Sequence, residues 1–332
     1  MSSLIRKDGL KYFTYITLAL LYFTAISFAH PQVLASGLRT IILSRDALVT
    51  DYFEVVGYGP AFFNAALVMT ISLVMIEYAE LPFTGLTIAA VFINTGFGFW
   101  GKNPINILPI HFGTILYAKA HNTPMSRYTY TALFATCLAP FVTELTYILP
   151  FGLWGNLAIA ILAGLFVGYV LPPLSQHTAS MHMGYSLFNV GFSGGTLAFV
   201  MFCVLKSFGI SSESVFIWKA EQHPKLIAGV YLYLLAAFLL GLYMNEGRIK
   251  DLLKILKHPG RAVADFVLMD GPGATLMNMS LTGTAAITYA MLIDADFSGP
   301  VLGCLFTVFG FAAFGAHLRN YLPVLLGVYL ST

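Results

Sequence analysis

Long apolar runs broken by short polar stretches set the pattern of this chain. Uncharged runs cover residues 12–29, 81–101, 183–205, 226–245, 274–293 and 297–316. A helix needs about 20 apolar residues to cross the hydrocarbon core of a bilayer, so the pattern predicts membrane-spanning helices. The alternating segments of about 10 residues that mark a transmembrane barrel are not seen. A first helix is expected over 12–30 and an interfacial segment over 31–50. Further spans are expected over 61–79, over 128–149 with Pro140 interrupting it, and over 152–171, ending at Pro172-Pro173. The expected fold is an all-α transmembrane, polytopic helical bundle.

One stretch stands out in this pattern: Gly96-Phe-Gly-Phe-Trp-Gly-Lys-Asn-Pro-Ile-Asn-Ile-Leu-Pro-Ile-His-Phe-Gly113. A diverged copy closes the chain, Gly310-Phe-Ala-Ala-Phe-Gly-Ala-His-Leu-Arg-Asn-Tyr-Leu-Pro-Val-Leu-Leu-Gly327. The two align without a gap at a shift of 214 residues. The same shift places Asp51 on Asp265, Gly57 on Gly271, Asn64 on Asn278, Asn106 on Asn320 and Pro109 on Pro323. Composition bias aligns Phe with Phe, but not Asp, Asn, Pro and several Gly in one register. An internal repeat follows, with broken or re-entrant helices at the polar breaks. The expected layout is an N-terminal helix and interfacial segment (1–50), repeat unit 1 (51–246), a basic linker (247–264) and partial repeat unit 2 (265–332). Unit 1 continues to about residue 208, whereas unit 2 stops at the counterpart of Ala118, so the chain is expected to be cut short at its C-terminus, the alternative being a protein of one and a half repeats.

Charge adds an orientation. Lysine and arginine near the N-terminus (Arg6, Lys7, Lys11) and in the linker (Arg248 to Arg261) mark the cytoplasmic side. An odd number of crossings then separates the two copies, which insert with opposite orientation. The expected location is the inner (plasma) membrane, multi-pass. Only 10% of residues are charged, against about 25% in a soluble domain. The net charge of +2 gives no nucleic-acid signature. Cys137, Cys203 and Cys304 show no CxxC spacing, so no metal site or disulfide framework is expected. No cofactor is expected either. GxSxG, HExxH and Walker A motifs are missing, and no Rossmann fingerprint follows a strand. The chain is therefore not expected to be an enzyme.

The candidate site residues are polar groups in apolar sequence. Lys102-Asn103-Pro104 predicts a helix start, with Asn as N-cap and Pro in the first turn. Free N–H groups and a lysine there would suit an anion or carbonyl. The alternative is an interfacial turn with Lys102 reaching the headgroups. Asn106 and Asn320, each followed by a proline, suggest helices broken at a cavity, or else Asn side chains bonding between packed helices. Asn64 and Asn278 have similar standing. Glu144, inside an apolar stretch, suggests proton or cation coupling, or a helix end. His177, His182 and Asn189 are placed in a re-entrant segment as pore or relay groups, and His111 faces the same cavity. These residues point to a channel or secondary transporter for a small polar solute or anion. A structural or assembly subunit is the competing class, and an intramembrane enzyme is a third. The expected partners are the lipid bilayer, a small polar solute or ion, and a second copy of the chain as a homo-oligomer.

The segments Gly96-Phe-Gly-Phe-Trp-Gly-Lys-Asn103, Asn106-Ile-Leu-Pro-Ile110, His182-Met-Gly-Tyr-Ser-Leu-Phe-Asn-Val-Gly-Phe192 and Gly273-Ala-Thr-Leu-Met-Asn278 carry a resemblance. They resemble a family of bacterial multi-pass membrane proteins of unknown function, a likeness that spans most of residues 40–332. The resemblance implies a longer C-terminus and no particular substrate. At the level of fold alone, the chain is similar to urea transporters, which share inverted repeats and broken helices, although their signature motif is missing.

Overall fold

The computed structural model describes residues 2–47, 49–261 and 264–331, with side chains from residue 8 onward. Arg6 and Lys7, used above to orient the chain, lie outside the described side chains. The elements run α1 (Ser2–Phe28), α2 (Pro31–Ile42), β1 (Val49–Thr50), α3 (Tyr52–Val56), α4 (Tyr58–Tyr78), α5 (Gly85–Phe97), α6 (Leu108–Ala120), α7 (Thr129–Ala135), α8 (Ala139–Ile148), α9 (Gly152–His182) and α10 (Asn189–Ser207). They continue with β2 (Phe216–Ile217), α11 (Pro224–Met244), α12 (Leu252–Ile255), α13 (Phe266–Met269), α14 (Pro272–Leu292), α15 (Gly299–Phe311) and α16 (Leu318–Ser331). The fold is an all-α polytopic bundle. Its only strands among the described residues are β1 and β2, which pair in parallel over two residues each.

Segments long and apolar enough to cross a membrane are found in α1, α4, the α7–α8 pair, α9, α10 and α11. α14 matches α4 in length at 21 residues. By contrast, α5 and α15 have 13 residues each. At 1.5 Å per residue they reach about 20 Å, short of the roughly 30 Å hydrocarbon core. The apolar runs 81–101 and 297–316 are therefore not spans. Each ends in a polar turn before the helix has crossed.

The two short helices pack antiparallel at the centre. Gly85, opening α5, lies against the Ala313 carbonyl, and Gly299, opening α15, lies against the Phe99 carbonyl. Where they cross, Gly96 and Gly303 each meet the other's carbonyl. A Cβ at either position would strike backbone, so only glycine permits this approach. On one side α1 packs on α4, on another α11 packs on α14, and α6 lies along α9.

Contacts define two ends of the bundle. Lys11 and Glu77 form an ion pair at 2.7 Å, and Gly9 abuts Met244. The start of α1, the end of α4 and the end of α11 thus share one end with the basic linker. At the other end Tyr147 donates to the Leu43 carbonyl. There His223 packs on Phe28 and Tyr58 with ring centroids at 5.8 and 4.8 Å. A strap between α10 and α11, residues 208–223, crosses this second end.

Two expectations about 152–189 need correction. The helix does not stop at Pro172-Pro173 but runs 31 residues, through both prolines, to His182. A proline leaves the carbonyl four residues earlier without its donor. Here the Thr114 hydroxyl donates to that carbonyl, Gly168, at 2.9 Å. The 177–189 segment is accordingly not a re-entrant element. It is the last turns of α9, a tight turn at left-handed Met183 (φ 49°) and Gly184 (φ 81°), and the start of α10.

Candidate functional site

The site is the turn between α5 and α6, residues 98–107. α5 travels away from the linker end, and α6 returns towards it. The start of α5 is tied to Tyr130 by the Thr87 hydroxyl at 2.7 Å, and the end of α6 packs Tyr117 on nearby Tyr128 with centroids at 5.2 Å. The arms splay, α5 onto α15 and α6 onto α9. The result is a re-entrant hairpin whose tip points towards the strap end.

The tip is held from below by Asn64 of α4. Its amide donates to the carbonyls of Gly98 and Lys102, both at 2.7 Å. Both carbonyls lie past the last turn of α5, where no helical donor remains. Within the tip, Asn106 Oδ1 accepts the Asn103 N–H at 2.9 Å, and Asn103 Oδ1 accepts the N–H groups of Ile105 and Asn106 at 3.0 and 2.9 Å. Asn106 Nδ2 donates to the Gly101 carbonyl and to the Thr143 hydroxyl, each at 3.0 Å. These bonds correct the expected helix start at Lys102-Asn103-Pro104. The α-helix begins only at Leu108, and these three N–H groups are taken by asparagine side chains rather than left open to an anion.

Lys102 does not reach the headgroups. Its side chain is buried, 2% exposed. The ammonium donates to Asn94 Oδ1 at 2.9 Å and to the Thr136 hydroxyl at 2.8 Å. It also lies 4.9 Å from the centre of the Phe97 ring, a cation–π contact. Asn94 is fixed in this pose because its amide donates to the Ala90 and Leu133 carbonyls. Among the described residues no carboxylate lies within ion-pairing distance of Lys102. A buried charge without a counter-ion is costly by several kcal/mol. Buried His111 follows on α6, its Nδ1 without a hydrogen-bond partner among the described residues.

On the strap side of the tip lies a second polar cluster. Buried Tyr52 donates to Asp46 Oδ1 at 3.1 Å, while Asp46 Oδ2 and Asn103 Nδ2 are buried with no hydrogen-bond partner among the described residues. Burial pushes the Asp46 carboxyl up to about 7, against the lowering pull of the Tyr52 and Thr143 hydroxyls, and Glu144 adds to the rise. Glu144 itself is in an ion pair. Arg45 reaches it with Nε at 2.9 Å and Nη2 at 2.7 Å, and Ser212 of the strap donates to the same carboxylate. Glu144, which stands inside an apolar stretch of sequence, thus has Arg45 as its counter-ion.

The second tip, residues 312–321, repeats the frame of the first without its charge. Asn278 Nδ2 donates to the carbonyls of Ala312 and Ala316 at 2.7 and 2.9 Å. Asn320 Oδ1 accepts the His317 N–H, and its amide donates to Gly315 O, each at 2.9 Å. Every one of these bonds has its partner 214 residues earlier. Ala316 stands where the first tip has Lys102. Arg319 reaches the linker carbonyl of Leu256, not the tip interior.

The structure thus gathers Lys102, Asn103, Asn106 and Asn64 at one tip, and Asn278 and Asn320 at the other. The tips lie at opposite ends, so Asn106 and Asn320 do not share a cavity. His182 and Asn189 bond to each other at 2.8 Å in the α9–α10 turn, and His177 is exposed. That turn meets the second tip through Leu187 against Gly315 and Phe188 against Phe311. An apolar cleft of about 220 Å³ lies between α1, α11 and α15, lined by Thr17, Phe92, Tyr233 and Phe309 among others, and no polar tip side chain lines it. Asn94, Thr136, Asp46, Tyr52 and Thr143 were not singled out from sequence. Asn94 is the most visible of them, an amide inside an apolar run three turns into α5. The others look like ordinary helix or loop residues until the tip closes on them.

No curated protein matches the chain. No solved structure matches it either, so the likeness to urea transporters finds no support. Residues 30–207 and 244–332 match the family described as protein of unknown function (DUF1576), and on that match over most of its length, in a bundle of apolar helices around two polar hairpin tips, the chain belongs to this family.

Proposed function

We propose that this integral membrane protein is a channel or secondary transporter for a small polar solute or anion, and not an enzyme. The observation that carries the reading is Lys102, a fully buried, ionisable amine held by two neutral oxygens at the tip of a re-entrant hairpin. Ionisable groups inside a membrane bundle are expensive and mark solute or ion pathways by default. Turns at hairpin tips are tolerated at membrane depth where they line a path or pack in protein. We further propose that α3–α5 with its tip and α13–α15 with its tip are two inverted copies of one unit, as in many transporters. The match of Asn64 with Asn278, and the two bonds that Asn106 and Asn320 have in common, support this. In this reading the linker end and the N-terminus face the cytoplasm across the inner membrane.

A second reading, a structural or assembly subunit, is favoured by one observation: most tip polar atoms bond to one another. Flux separates the two. The protein reconstituted in liposomes should move at least one member of a panel of labelled small anions and polar solutes, and Lys102→Met should abolish that flux while leaving the protein monodisperse. No flux across the panel, with Lys102→Met altering thermal stability alone, overturns the transport reading.

A further inference from the structure

The strap over the first tip is tied down from three sides. Strand β2 pairs with β1, and the Asp51 N–H donates to the Ile217 carbonyl at 3.1 Å. The Lys219 N–H donates to Asp51 Oδ2 at 3.1 Å, and Trp218 donates to Asp296 at 2.9 Å. The third tie is ionic: Arg45 and Ser212 meet on Glu144, and Arg45 also reaches the Glu213 carbonyl at 3.5 Å. Asp46 lies directly beside this latch in sequence and under it in space, 5% exposed.

Its surroundings are uneven. Tyr52 of α3 supplies one hydrogen bond, to Oδ1. Thr143 of α8 faces the carboxyl without closing a bond on Oδ2, which has no partner among the described residues. The charged and titratable groups around it are Arg45 on its own turn, Tyr52 on α3, and Glu144 and Tyr147 on α8, while the strap adds Glu213 beyond Arg45. The hairpin tip presents Asn103, which is neutral. Arg45 is committed to Glu144, so an ionised Asp46 here would be a second buried carboxylate with one bond and a like charge beside it.

We propose that Asp46 is a proton-binding site that sets the state of the strap. With the proton bound, Asp46 is neutral, Arg45 stays on Glu144, and the strap is latched over the tip. When the proton leaves to bulk water, the carboxylate is relieved by hydration or by drawing on Arg45, and both routes loosen Ser212 and the strap. The folded, closed form holds its proton to higher pH than an opened form does, so closure is favoured at low pH and lost as pH rises through about 7. This inference does not depend on the transport reading, since strap opening is measured without flux.

The test is hydrogen exchange of residues 210–219 in the full chain in lipid nanodiscs, as protection factors corrected for intrinsic rates, from pH 5.5 to 8.5. Protection is expected to fall about ten-fold between pH 6 and 8 in the wild type. Asp46→Asn, which mimics the protonated form, should keep the strap protected with no pH slope. Glu144→Gln removes the like charge beside Asp46 and frees Arg45 to meet it, so it should lower protection throughout and move the slope to lower pH. A flat wild-type profile, a slope surviving in Asp46→Asn, or a slope left unmoved by Glu144→Gln overturns the proposal. The last of these keeps it falsifiable even where Asp46→Asn does not assemble.

Discussion

Asp51 and Asp265 cap each other's half of the centre. Asp51 accepts the N–H of Gly299, which opens α15, at 3.0 Å, and Asp265 accepts the N–H of Gly85, which opens α5, at 2.9 Å. Each aspartate also caps its own short helix, Asp51 through Phe53 and Asp265 through Val267 and Leu268. One carboxylate therefore satisfies orphan donors of two helices that are remote in sequence. The negative charge also suits both positive helix ends.

Removing either cap should be costly. Asp51→Ala and Asp265→Ala leave buried N–H groups without acceptors, at about 1–3 kcal/mol each. Thermal unfolding in detergent should show a similar loss for both. A large effect at one position and none at the other would contradict the reciprocal arrangement.

The tip clamps should behave alike. Asn64→Ala and Asn278→Ala each unbind two carbonyls, at Gly98 and Lys102 or at Ala312 and Ala316. A loss of about 2–4 kcal/mol is expected at each site, from two hydrogen bonds and the stranded carbonyls. Unfolding midpoints of the two variants measured side by side provide the check.

Lys102 and Asn94 should be energetically coupled. A double-mutant cycle with Lys102→Met and Asn94→Leu is expected to show an interaction of about 1–3 kcal/mol. Additive stability losses would mean that the ammonium does not depend on Asn94. Lys102→Glu should fail to assemble, because it places a carboxylate against Asn94 Oδ1 with no cation nearby among the described residues.

Glycine substitutions should sort by contact. A Cβ at Gly113 would strike the Leu165 carbonyl and one at Gly168 the Ile110 carbonyl, where α6 meets α9, whereas Gly195 and Gly229 face open space. Gly113→Ala and Gly168→Ala are expected to destabilise by about 1–3 kcal/mol through overpacking. Gly195→Ala and Gly229→Ala should be neutral or slightly stabilising, since both lie inside helices. Equal effects in the two pairs, read as expression level and melting temperature, would sink the packing account.

Much of this was legible along the chain. Hydropathy fixed the membrane class, because uncharged runs of about 20 residues have few other stable homes. The register of 214 residues pointed to Asn64, Asn106, Asn278 and Asn320, and all four hold a tip. Other features were not legible. Pro172-Pro173 looks like a helix end until Thr114, on another helix, satisfies one of the two carbonyls they release, that of Gly168. Asn103-Pro104 looks like an open helix N-terminus until Asn103 and Asn106 fold back onto its donors.

By itself, then, the sequence determined what depends on local composition and spacing: an apolar bundle, short helices interrupted by polar turns, and paired asparagines in one register. Only the tertiary structure decided which charges meet. Arg45 finds Glu144 across 99 residues and Asp51 finds Gly299 across 248, while Lys102 is closed in by Asn94 and Thr136 with no carboxylate near it among the described residues. Hydrophobic burial follows from each segment's own residues. Pairing a buried charge or an orphan N–H depends on which distant segment arrives beside it, and that is set by packing of the whole bundle.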